Sequence, residues 1–388
     1  MGRIRLMLVN YEYPPLGGGA ATATACLARE FNRLDADVSI ITSAYADLPR
    51  KENRDGIEIV RIRALRRSAQ QSNPLEMITF MINASLYTLR FARTWKPDAS
   101  IAFFGIPGGP VSLVLRWFLS IPYIVLLRGG DVPGHQREQL AGYHRITKPL
   151  ITYIWRRANN VVANSTGLRE QAMKAAPDMK ISVIENGVDA ERFDPGDIAR
   201  ASGEKTTRIL FVGRVSYEKG LQYLLPALSE LDADWRFTIV GQGPYTEEIK
   251  VMSKSLGLES RIDWTGWVAR DRLPDFYGDA DIFVFPSTDE GMPNTVLEAM
   301  ASGLPVIATQ IPGVEDLIED GRNGILVPPA DTASLQHALV SVLDDEVKRT
   351  ALGIAARNHV MSAFTWQKAA EKYLSLVKQA IRDAKEPD

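Results

Sequence analysis

The sequence predicts an α/β protein built from two parallel sheets, each covered by helices on both faces. Three observations lead to this prediction. Short β-branched runs alternate with longer helical patterns along the chain, a polar break interrupts the alternation near the middle, and 388 residues exceed what one compact core accommodates. We therefore expect two doubly wound domains of similar size.

The first half of the chain contains six short runs that predict strands, most of them followed by a segment of helical periodicity. Arg3 and Arg5 lead directly into the first run, so we expect no secretory signal at this end. Glycines, prolines and Arg116 divide the most apolar stretch, residues 101–127, so we predict no membrane span there. The six runs are residues 4–10, 37–42, 58–62, 99–105, 123–127 and 159–165.

The second half repeats the pattern after a polar segment, residues 190–207, which contains Pro195, Gly196 and Gly203 and lacks apolar periodicity. We interpret this segment as a linker. A final helical pattern begins at Trp366 and could pack on either domain. The six runs that predict strands here are residues 208–213, 237–241, 262–266, 281–287, 304–309 and 324–329.

Composition excludes several protein classes. With 45% hydrophobic and 24% charged residues, the chain is not mainly disordered, collagen-like or stapled by disulfides, and its single cysteine, Cys26, fits a reducing compartment. A net charge of -2 gives no drive toward nucleic acid. Residues 1–200 contain 26 Lys and Arg against 19 Asp and Glu, whereas residues 201–388 contain 19 against 28. Either the first half meets an anionic partner, or the asymmetry is chance.

A glycine run follows the first predicted strand. Gly17, Gly18 and Gly19 lead directly into a helix that starts around Ala20. Glycine lets backbone N–H groups approach a phosphate closely at the positive end of a helix dipole, so a phosphate-binding loop is one interpretation. The alternative is that the strand–turn–helix junction itself needs glycine, and the pattern is not the GxGxxG fingerprint.

Two cations, Arg214 and Lys219, follow the first predicted strand of the second half. There they could neutralise a diphosphate leaving group without a metal, although loop cations are commonly only solvated. The GQGP turn, with Gly241 and Gly243, ends another strand on the same sheet edge. Ligands bind at that edge in open α/β sheets.

The most informative segment is residues 281–329. Glu290 lies in the loop after a strand, and Glu298 lies eight residues later in a helix that begins near Pro293. That spacing is a little over two turns, so we expect both carboxylates on one face. The backbone amides of residues 292–295 would suit sugar hydroxyls or phosphate. The alternative is that both glutamates are capping and surface residues.

Taken together, these motifs resemble one enzyme family. Six motifs carry the resemblance, in this order along the chain: IENGVDAERFDP, GRVSYEKG, GQGP, PSTDEG, LEAMASGLPVIAT and DGRNGILV. By them the chain is identified as a member of the family 4 (group 1) retaining glycosyltransferases, most specifically in residues 209–330. The resemblance implies the GT-B fold, two Rossmann-like domains facing across a cleft. The acceptor would bind residues 1–190 and the nucleotide-sugar donor residues 205–365, while a last helix, residues 366–388, would cross back to the first domain.

The resemblance also implies a role for each motif. Arg214 and Lys219 would bind the donor diphosphate, with the glycine run closing over it from the first domain. Glu290 would lie near the transferred sugar and Glu298 would bind the ribose hydroxyls. Transfer would retain the anomeric configuration, by front-face attack within an ion pair. The donor site would comprise Gly17, Gly18, Gly19, Arg214, Lys219, Gly241, Gly243, Glu290, Gly291, Met292, Pro293, Asn294, Thr295 and Glu298.

One position departs from the family pattern. Many members carry a histidine after the strand that here reads YIVLL, whereas this chain has RGGD, with Arg128 in that place and Asp131 following. Arg128 either engages a phosphate or carboxylate of a substrate or forms a structural ion pair with Asp131. Both residues are candidates for the catalytic site, together with Glu290, Arg214 and Lys219.

Three Asp-x-Asp triplets are similar to the metal-binding triplet of other glycosyltransferase folds. Turn and cap chemistry explains them here, because two precede strands and the third flanks a buried strand. The two loop cations already supply positive charge, so we predict no metal and no cofactor. The triplets are Asp35/Asp37, Asp232/Asp234 and Asp279/Asp281.

An arginine-rich segment, residues 61–67, precedes a helical pattern rich in Met, Phe, Leu and Tyr. Such a cluster is typical of loose docking on anionic lipid, although soluble acceptors fit as well. The expected protein is a cytoplasmic, metal-independent retaining hexosyltransferase, with peripheral contact at the inner face of the membrane. It would transfer sugar from a nucleotide diphosphate to a sugar or lipid-linked hydroxyl acceptor in polysaccharide, lipopolysaccharide or glycolipid assembly. Two alternatives stay open: a disaccharide synthase or phosphorylase of soluble sugars, and a catalytically silent subunit that binds nucleotide-sugar.

Overall fold

Two α/β units make up the structure, a computed structural model that describes residues 3–68, 73–134, 137–194 and 206–385. The side chains of residues 137–141, 143 and 144 are not described. The first unit is Met1–Gly187 with Trp366–Asp388, and the second is Val188–Thr365.

The strands, in chain order, are β1 (Ile4–Val9), β2 (Ala36–Ser43), β3 (Lys51–Arg54), β4 (Ile57–Ile62), β5 (Ala99–Phe103), β6 (Tyr123–Leu126), β7 (Asn160–Ala163), β8 (Ile181–Val183), β9 (Thr207–Val212), β10 (Trp235–Val240), β11 (Ile262–Gly266), β12 (Ile282–Phe285), β13 (Val306–Thr309) and β14 (Ile325–Val327). The helices are α1 (Gly19–Arg33), α2 (Pro74–Trp95), α3 (Gly109–Leu119), α4 (Arg137–Arg157), α5 (Thr166–Ala175), α6 (Leu221–Ser229), α7 (Thr246–Ser255), α8 (Leu273–Asp279), α9 (Asn294–Ala301), α10 (Pro312–Glu315), α11 (Thr332–Leu343), α12 (Glu346–Ala363) and α13 (Trp366–Lys385).

All twelve strands predicted from the sequence are present, and two more occur. Strand β3 contains no apolar residue, and β8 has only three residues, so neither gives a periodic signal. Residues 101–127 form strand, turn, helix and strand, as predicted. In the part of the chain that the structure describes, no helix is long and apolar enough to cross a membrane.

The first unit is built on an eight-stranded sheet in the order β3-β4-β2-β1-β5-β6-β7-β8. Neighbouring strands are parallel except β3 and β4, which are antiparallel. The strand order reverses between β1 and β5. This reversal is the topological switch point, the position at which open α/β sheets bind ligands.

Helices cover both faces of this sheet. Leu6 and Leu8 of β1 pack in a cluster with α1 and α13, whereas Met7 and Val9 pack on the other face with α2 and α3. The β1–β5 register places Ala102 beside Val9, and Ala102 belongs to the cluster that α4 and α5 cover. Helices α2, α3, α4 and α5 therefore share one face of the sheet, and α1 and α13 share the other.

The last helix packs on the first unit although it follows the second unit in sequence. Trp366 and Tyr373 of α13 are buried in the same cluster as Phe31 of α1. The expected linker, residues 190–207, lies only partly within the described residues. Residues 188–194 belong to the second unit, and residues 195–205, with Pro195, Gly196 and Gly203, lie outside the described residues.

The second unit has six parallel strands in the order β11-β10-β9-β12-β13-β14. The inner strands β12 and β13 are buried along their whole length because helices cover both faces of the sheet. The strand order reverses between β9 and β12. The loops that follow these two strands therefore lie side by side at the switch point, the position at which such sheets bind nucleotides.

Candidate active site

The loops after β9 and β12 are held together at the switch point of the second unit. The β9 loop ends in a short 3₁₀ turn, Tyr217–Lys219. Ser287, in the β12 loop, donates its hydroxyl to the Glu218 carbonyl at 3.0 Å. This contact fixes the two loops against each other, so that Lys219 of one loop faces Glu290 of the other.

Lys219 and Glu290 form an ion pair between Nζ and Oε1. Ser287 Oγ lies 3.3 Å from the same carboxylate oxygen, and the ammonium lies 5.7 Å from the centroid of the Phe285 ring. The two side chains are 19% and 17% exposed, so the pair is largely shielded yet reachable from solvent. A diphosphate bound here would compete with Glu290 for the ammonium group.

Glu298 lies inside α9, in a different environment. Tyr277 donates its hydroxyl to Oε2 at 3.0 Å, and Arg270 Nη2 lies 3.6 Å from Oε1. Burial raises the pKa of the Glu298 carboxyl above its ordinary value, although Arg270 and the Tyr277 hydrogen bond act in the opposite direction. The prediction that helical spacing places Glu290 and Glu298 on one face is wrong, because α9 begins only at Asn294 and Glu290 lies in the preceding loop.

The start of α9 offers fewer amide donors than predicted for residues 292–295. Pro293 carries no N–H and serves as the residue before the helix, where its carbonyl accepts the Val296 N–H at 3.2 Å. The preceding loop is fixed by close backbone packing. A Cβ added to Gly313 would lie 2.3 Å from the Gly291 carbonyl oxygen. Met292 and Pro293 are buried, whereas Asn294 and Thr295 are half-buried.

The GQGP turn packs directly on the β9 loop. A Cβ on Gly241 would lie 1.9 Å from the Gly213 carbonyl oxygen, and one on Gly243 would lie 2.2 Å from that of Val215. Gly241 also has a φ of +135°, which L side chains rarely adopt. Backbone packing therefore accounts for both glycines. Arg214, in the loop they support, is exposed.

A pocket of about 600 Å³ lies beside this turn, at the carboxyl ends of β10 and β11. Its lining includes Gln242, Lys250 and Trp264, and the Lys250 ammonium lies 5.9 Å from the centroid of the indole ring. The volume falls in the range of small-ligand sites. An aromatic wall and an adjacent cation suit a planar group that carries negative charge nearby.

In the first unit, the glycine run follows β1 at the switch point. Gly17 has a φ of +81°, and a Cβ there would lie 2.4 Å from Glu12 Oε2, so the turn itself requires this glycine. Around Gly18, by contrast, a Cβ would have no described atom within 4 Å, and Gly19 begins α1. Burial raises the pKa of Glu12, while Arg66 and a hydrogen bond from the Gly18 amide lower it. The Glu12 carboxylate therefore lies close to the amide that a phosphate would use.

Arg128 and Asp131 lie after β6, but no carboxylate–guanidinium hydrogen bond joins them in the described residues. Asp131 instead accepts the backbone N–H groups of Arg128, at 3.0 Å, and of Gly105, at 2.8 Å. Burial raises its pKa and these bonds lower it. The Arg128 guanidinium donates through Nη1 to Asn186 Oδ1 at 2.5 Å and lies 5.2 Å from the Phe103 ring centroid. Its Nε and Nη2 are buried and have no hydrogen-bond partner among the described residues.

The Asp-x-Asp triplets take part in ion pairs and turn contacts. Among the residues that the structure describes, no group of three or more His, Cys, Asp or Glu side chains could hold a metal ion. Metal independence stays a prediction. The contacts are Arg3 to Asp35 and Asp37, Thr206 to Asp234, and Arg208 to Asp279 and Asp281.

The residues that orient the candidate side chains carry no signal in the sequence. Tyr277 and Arg270 reach Glu298 from α8 and the turn before it, and Asn186 reaches Arg128 from the end of the first unit's sheet. None of these residues has a spacing that links it to its partner. Only the sheet topology could have identified them.

Both halves of the chain match family models. Residues 206–345 match the model described as Glycosyl transferases group 1, and residues 17–192 match the one described as Glycosyltransferase Family 4.

The proteins similar to the chain include two relatives and one solved structure. An uncharacterized glycosyltransferase of Methanocaldococcus jannaschii is 26% identical over 97% of this chain and 99% of its own length. A UDP-Gal:alpha-D-GlcNAc-diphosphoundecaprenol alpha-1,3-galactosyltransferase of Escherichia coli is 35% identical over 51% of this chain and 54% of its own. Anabaena HepE, solved in complex with UDP and glucose, superposes with a TM-score of 0.76 at 18% identity, over 97% of this chain and 100% of that one. At this identity the structural match shows a shared fold.

Proposed function

Because the chain belongs to the group 1 (family 4) glycosyltransferases and has their GT-B fold, we propose that it is a retaining transferase acting on a nucleotide diphosphate sugar. It moves a hexose-type sugar to a hydroxyl acceptor. The main support for this proposal is the ion pair between Lys219 and Glu290 at the switch point of the second unit. A cation for the leaving phosphate and a carboxylate for the sugar lie together at the edge where open α/β sheets bind nucleotides.

The second unit binds the donor in this proposal. Lys219 exchanges Glu290 for the β-phosphate, and exposed Arg214 adds a second positive charge, so that the two cations offset the diphosphate without a metal. Glu290, once released, accepts a hydrogen bond from the transferred sugar. Glu298 is held by its buried partners and accepts hydrogen bonds from the ribose hydroxyls.

Transfer breaks the bond between the anomeric carbon and the β-phosphate oxygen. The acceptor hydroxyl oxygen bonds to the anomeric carbon from the same face, and the hydroxyl proton passes to the departing phosphate oxygen. The main contribution of the protein is electrostatic, because positive charge at the leaving group stabilises the charge that develops there. Front-face attack leaves the anomeric configuration unchanged.

The first unit binds the acceptor in this proposal. Arg128 has two buried N–H groups without a partner in the described residues, and these suit an anionic group such as a phosphate or carboxylate. Asp131 acts through the loop, because it holds the Arg128 backbone. A lipid-linked diphosphate acceptor fits this chemistry, as in the similar Escherichia coli galactosyltransferase. The protein would then work at the cytoplasmic face of a membrane.

Thermal unfolding with UDP, GDP and ADP and their common sugar conjugates tests the donor assignment. A ligand at about 100 times its dissociation constant adds about 2.7 kcal/mol, which is a shift of several degrees. We expect a shift with the conjugates of one base and the same shift with EDTA or with Mg²⁺. No shift with any nucleotide would contradict the donor site, and a shift that needs the metal would contradict the two-cation mechanism.

Substitutions then test the roles. Lys219→Met and Glu290→Gln should each lower turnover at least about 100-fold, the usual cost of removing one transition-state contact. Lys254→Met is the matched control, because Lys254 is exposed near the end of α7 in the same unit. Unchanged turnover in both site variants would refute the assignment. An NMR determination of the product's anomeric configuration tests retention independently.

A further inference from the structure

Helix α2 carries apolar side chains on two opposite faces. Its inner face packs on the sheet through Phe80, Ala84 and Ala92. Its outer face carries four large aliphatic side chains three or four residues apart, which form one stripe along the helix. These side chains are 46–66% exposed, at positions where a surface helix of a globular protein usually carries polar residues. The stripe consists of Leu75, Ile78, Ile82 and Leu86.

Helices α3 and α4 continue this pattern. Trp117 and Phe118 lie near the end of α3, and Phe118 is 67% exposed. On α4, Ile146 is 81% exposed, and Leu150 and Tyr153 follow at helical spacing. The Trp117 and Tyr153 rings are neighbours, with their centroids 6.3 Å apart. The outer sides of the two helices therefore form one apolar area.

All three helices cover the same face of the first unit's sheet, and α3 packs against both α2 and α4. Their outer side chains consequently lie on one side of the unit. Of the 18 large apolar side chains that are exposed in the described residues, nine lie on these three helices, so the concentration is local. We define the α2–α4 apolar surface as Leu75, Ile78, Ile82, Leu86, Trp117, Phe118, Ile146, Leu150 and Tyr153.

The charges on the three helices are almost all positive. Their sequences contain eight Lys and Arg but only two glutamates, Glu76 and Glu138. Glu76 is buried and belongs to the capping box at the start of α2, where it accepts hydrogen bonds from Asn73. Among the side chains that the structure describes, the exposed cations of these helices are Arg90, Arg93, Arg145, Lys148, Arg156 and Arg157.

In the arginine-rich segment at residues 61–67, by contrast, only half of the arginines are exposed and could contact lipid. Arg61 is buried and pairs with Glu52 at 3.1 Å. Arg66 is buried as well, and its guanidinium donates to the Ser43 hydroxyl at 3.2 Å. Between this segment and the three helices, most of the cations that face solvent therefore lie on α2 and α4, beside the apolar surface.

We propose that the α2–α4 apolar surface docks the first unit on a bilayer that contains anionic lipid. Aliphatic and aromatic side chains would enter the boundary between headgroups and acyl chains, while the arginines and lysines meet the lipid phosphates. The combination of exposed indole and phenol rings with nearby cations is typical of a membrane interface. This proposal rests on the proposed function in one respect: the role of docking would be to bring the first unit to a lipid-linked acceptor.

Co-sedimentation with vesicles tests the proposal on the whole 388-residue chain. Wild type should bind vesicles of phosphatidylcholine mixed with phosphatidylglycerol, and bind less as salt is raised, because screening weakens the contact of cations with the headgroups. The apolar variant replaces Trp117, Phe118, Ile146 and Leu150 by serine, and its partition coefficient should fall at least about tenfold.

The matched control replaces four exposed aliphatic residues of the second unit by serine and should bind vesicles as wild type does. Its positions are Val251, Val340, Val347 and Ile354. A second variant, with Arg145 and Lys148 replaced by serine, should lose affinity for anionic vesicles mainly at low salt.

Nucleotide-induced thermal shifts, measured on each variant, separate this proposal from the donor assignment. Loss of vesicle binding with an unchanged nucleotide shift supports the docking surface. If wild type binds vesicles but its Tm does not change with any nucleotide, the docking surface is supported and the proposed function is refuted. Equal binding of the apolar and control variants, or no binding of wild type at low salt, overturns it. A third outcome also overturns it: wild type does not bind vesicles but self-associates, and the apolar variant does not self-associate. The surface would then be a protein interface.

Discussion

Replacing Tyr277 by phenylalanine tests whether one hydroxyl sets the environment of Glu298. The ring is buried between Phe193 and Phe283, with centroids 5.5 and 5.7 Å away, so the substitution keeps the packing and removes only the hydroxyl. That hydroxyl donates to Glu298 Oε2 at 3.0 Å. Without it, Arg270, at 3.6 Å from the other oxygen, is left to balance a buried carboxylate.

The expected loss is that of a buried hydrogen bond to a charged group, about 1.5–3 kcal/mol. For a domain of this size, 1 kcal/mol corresponds to about 2–4 °C, so Tm of the second unit should fall by about 3–12 °C at neutral pH. The loss should depend on pH. The hydroxyl stabilises the ionised carboxylate and so lowers the pKa of Glu298, against the burial that raises it. Its removal raises that pKa further, and the stability difference should shrink as acid protonates the carboxyl in both proteins.

Calorimetry of Tyr277→Phe from neutral to acidic pH measures both effects, with Tyr245→Phe as the control. Tyr245 is a half-buried ring in the same unit. A Tm difference that is the same at every pH, or no larger than that of the control, would refute the contact with ionised Glu298. If Tm falls as expected while the nucleotide dissociation constant is unchanged, Glu298 does not bind the ribose.

Two further predictions concern backbone positions. Gly243→Ala should destabilise the second unit by about 3 kcal/mol or more, because the added Cβ would lie 2.2 Å from the Val215 carbonyl oxygen. Gly257→Ala, at a φ of +70° but with no described atom within 4 Å, should cost only about 1 kcal/mol, and equal Tm losses would contradict the packing argument. Asp131→Ala leaves two backbone N–H groups without their acceptor and should cost about 1–3 kcal/mol for each, measured by denaturant unfolding. Asp131→Asn keeps one oxygen and should lose about half as much, whereas a loss equal to that of Asp131→Ala would show that the retained hydrogen bond contributes nothing.

The strands could be predicted because parallel strands that helices bury on both faces read as continuous apolar runs. Strand β3 could not, since its four residues, Lys51–Arg54, are all polar or charged, and only antiparallel pairing with β4 makes them a strand. The exposure of side chains in the arginine-rich segment could not be predicted either. Sequence reveals the positive charges of residues 61–67, but burial of Arg61 and Arg66 follows from the sheet edge and loop that they pack against.

The sequence also singled out Lys219 and Glu290 without revealing that they bind each other. The two residues are 71 positions apart, and they meet only because the strand order reverses between β9 and β12. Spacing along the chain carries no information about such a contact. The resemblance assigned a different part of the donor to each residue. In the structure, Lys219 and Glu290 are instead each other's ion-pair partner.

This pairing changes how the single substitutions must be interpreted. Removing either Lys219 or Glu290 leaves a largely shielded charge without its partner, and that alone could distort the loop and lower activity. The double variant, Lys219→Met with Glu290→Gln, removes both charges together. If Lys219 only balances Glu290, the double variant should bind nucleotide as tightly as wild type. If Lys219 binds the diphosphate, the double variant should keep the full loss of affinity that Lys219→Met shows, because no neutral side chain replaces a cation at a phosphate.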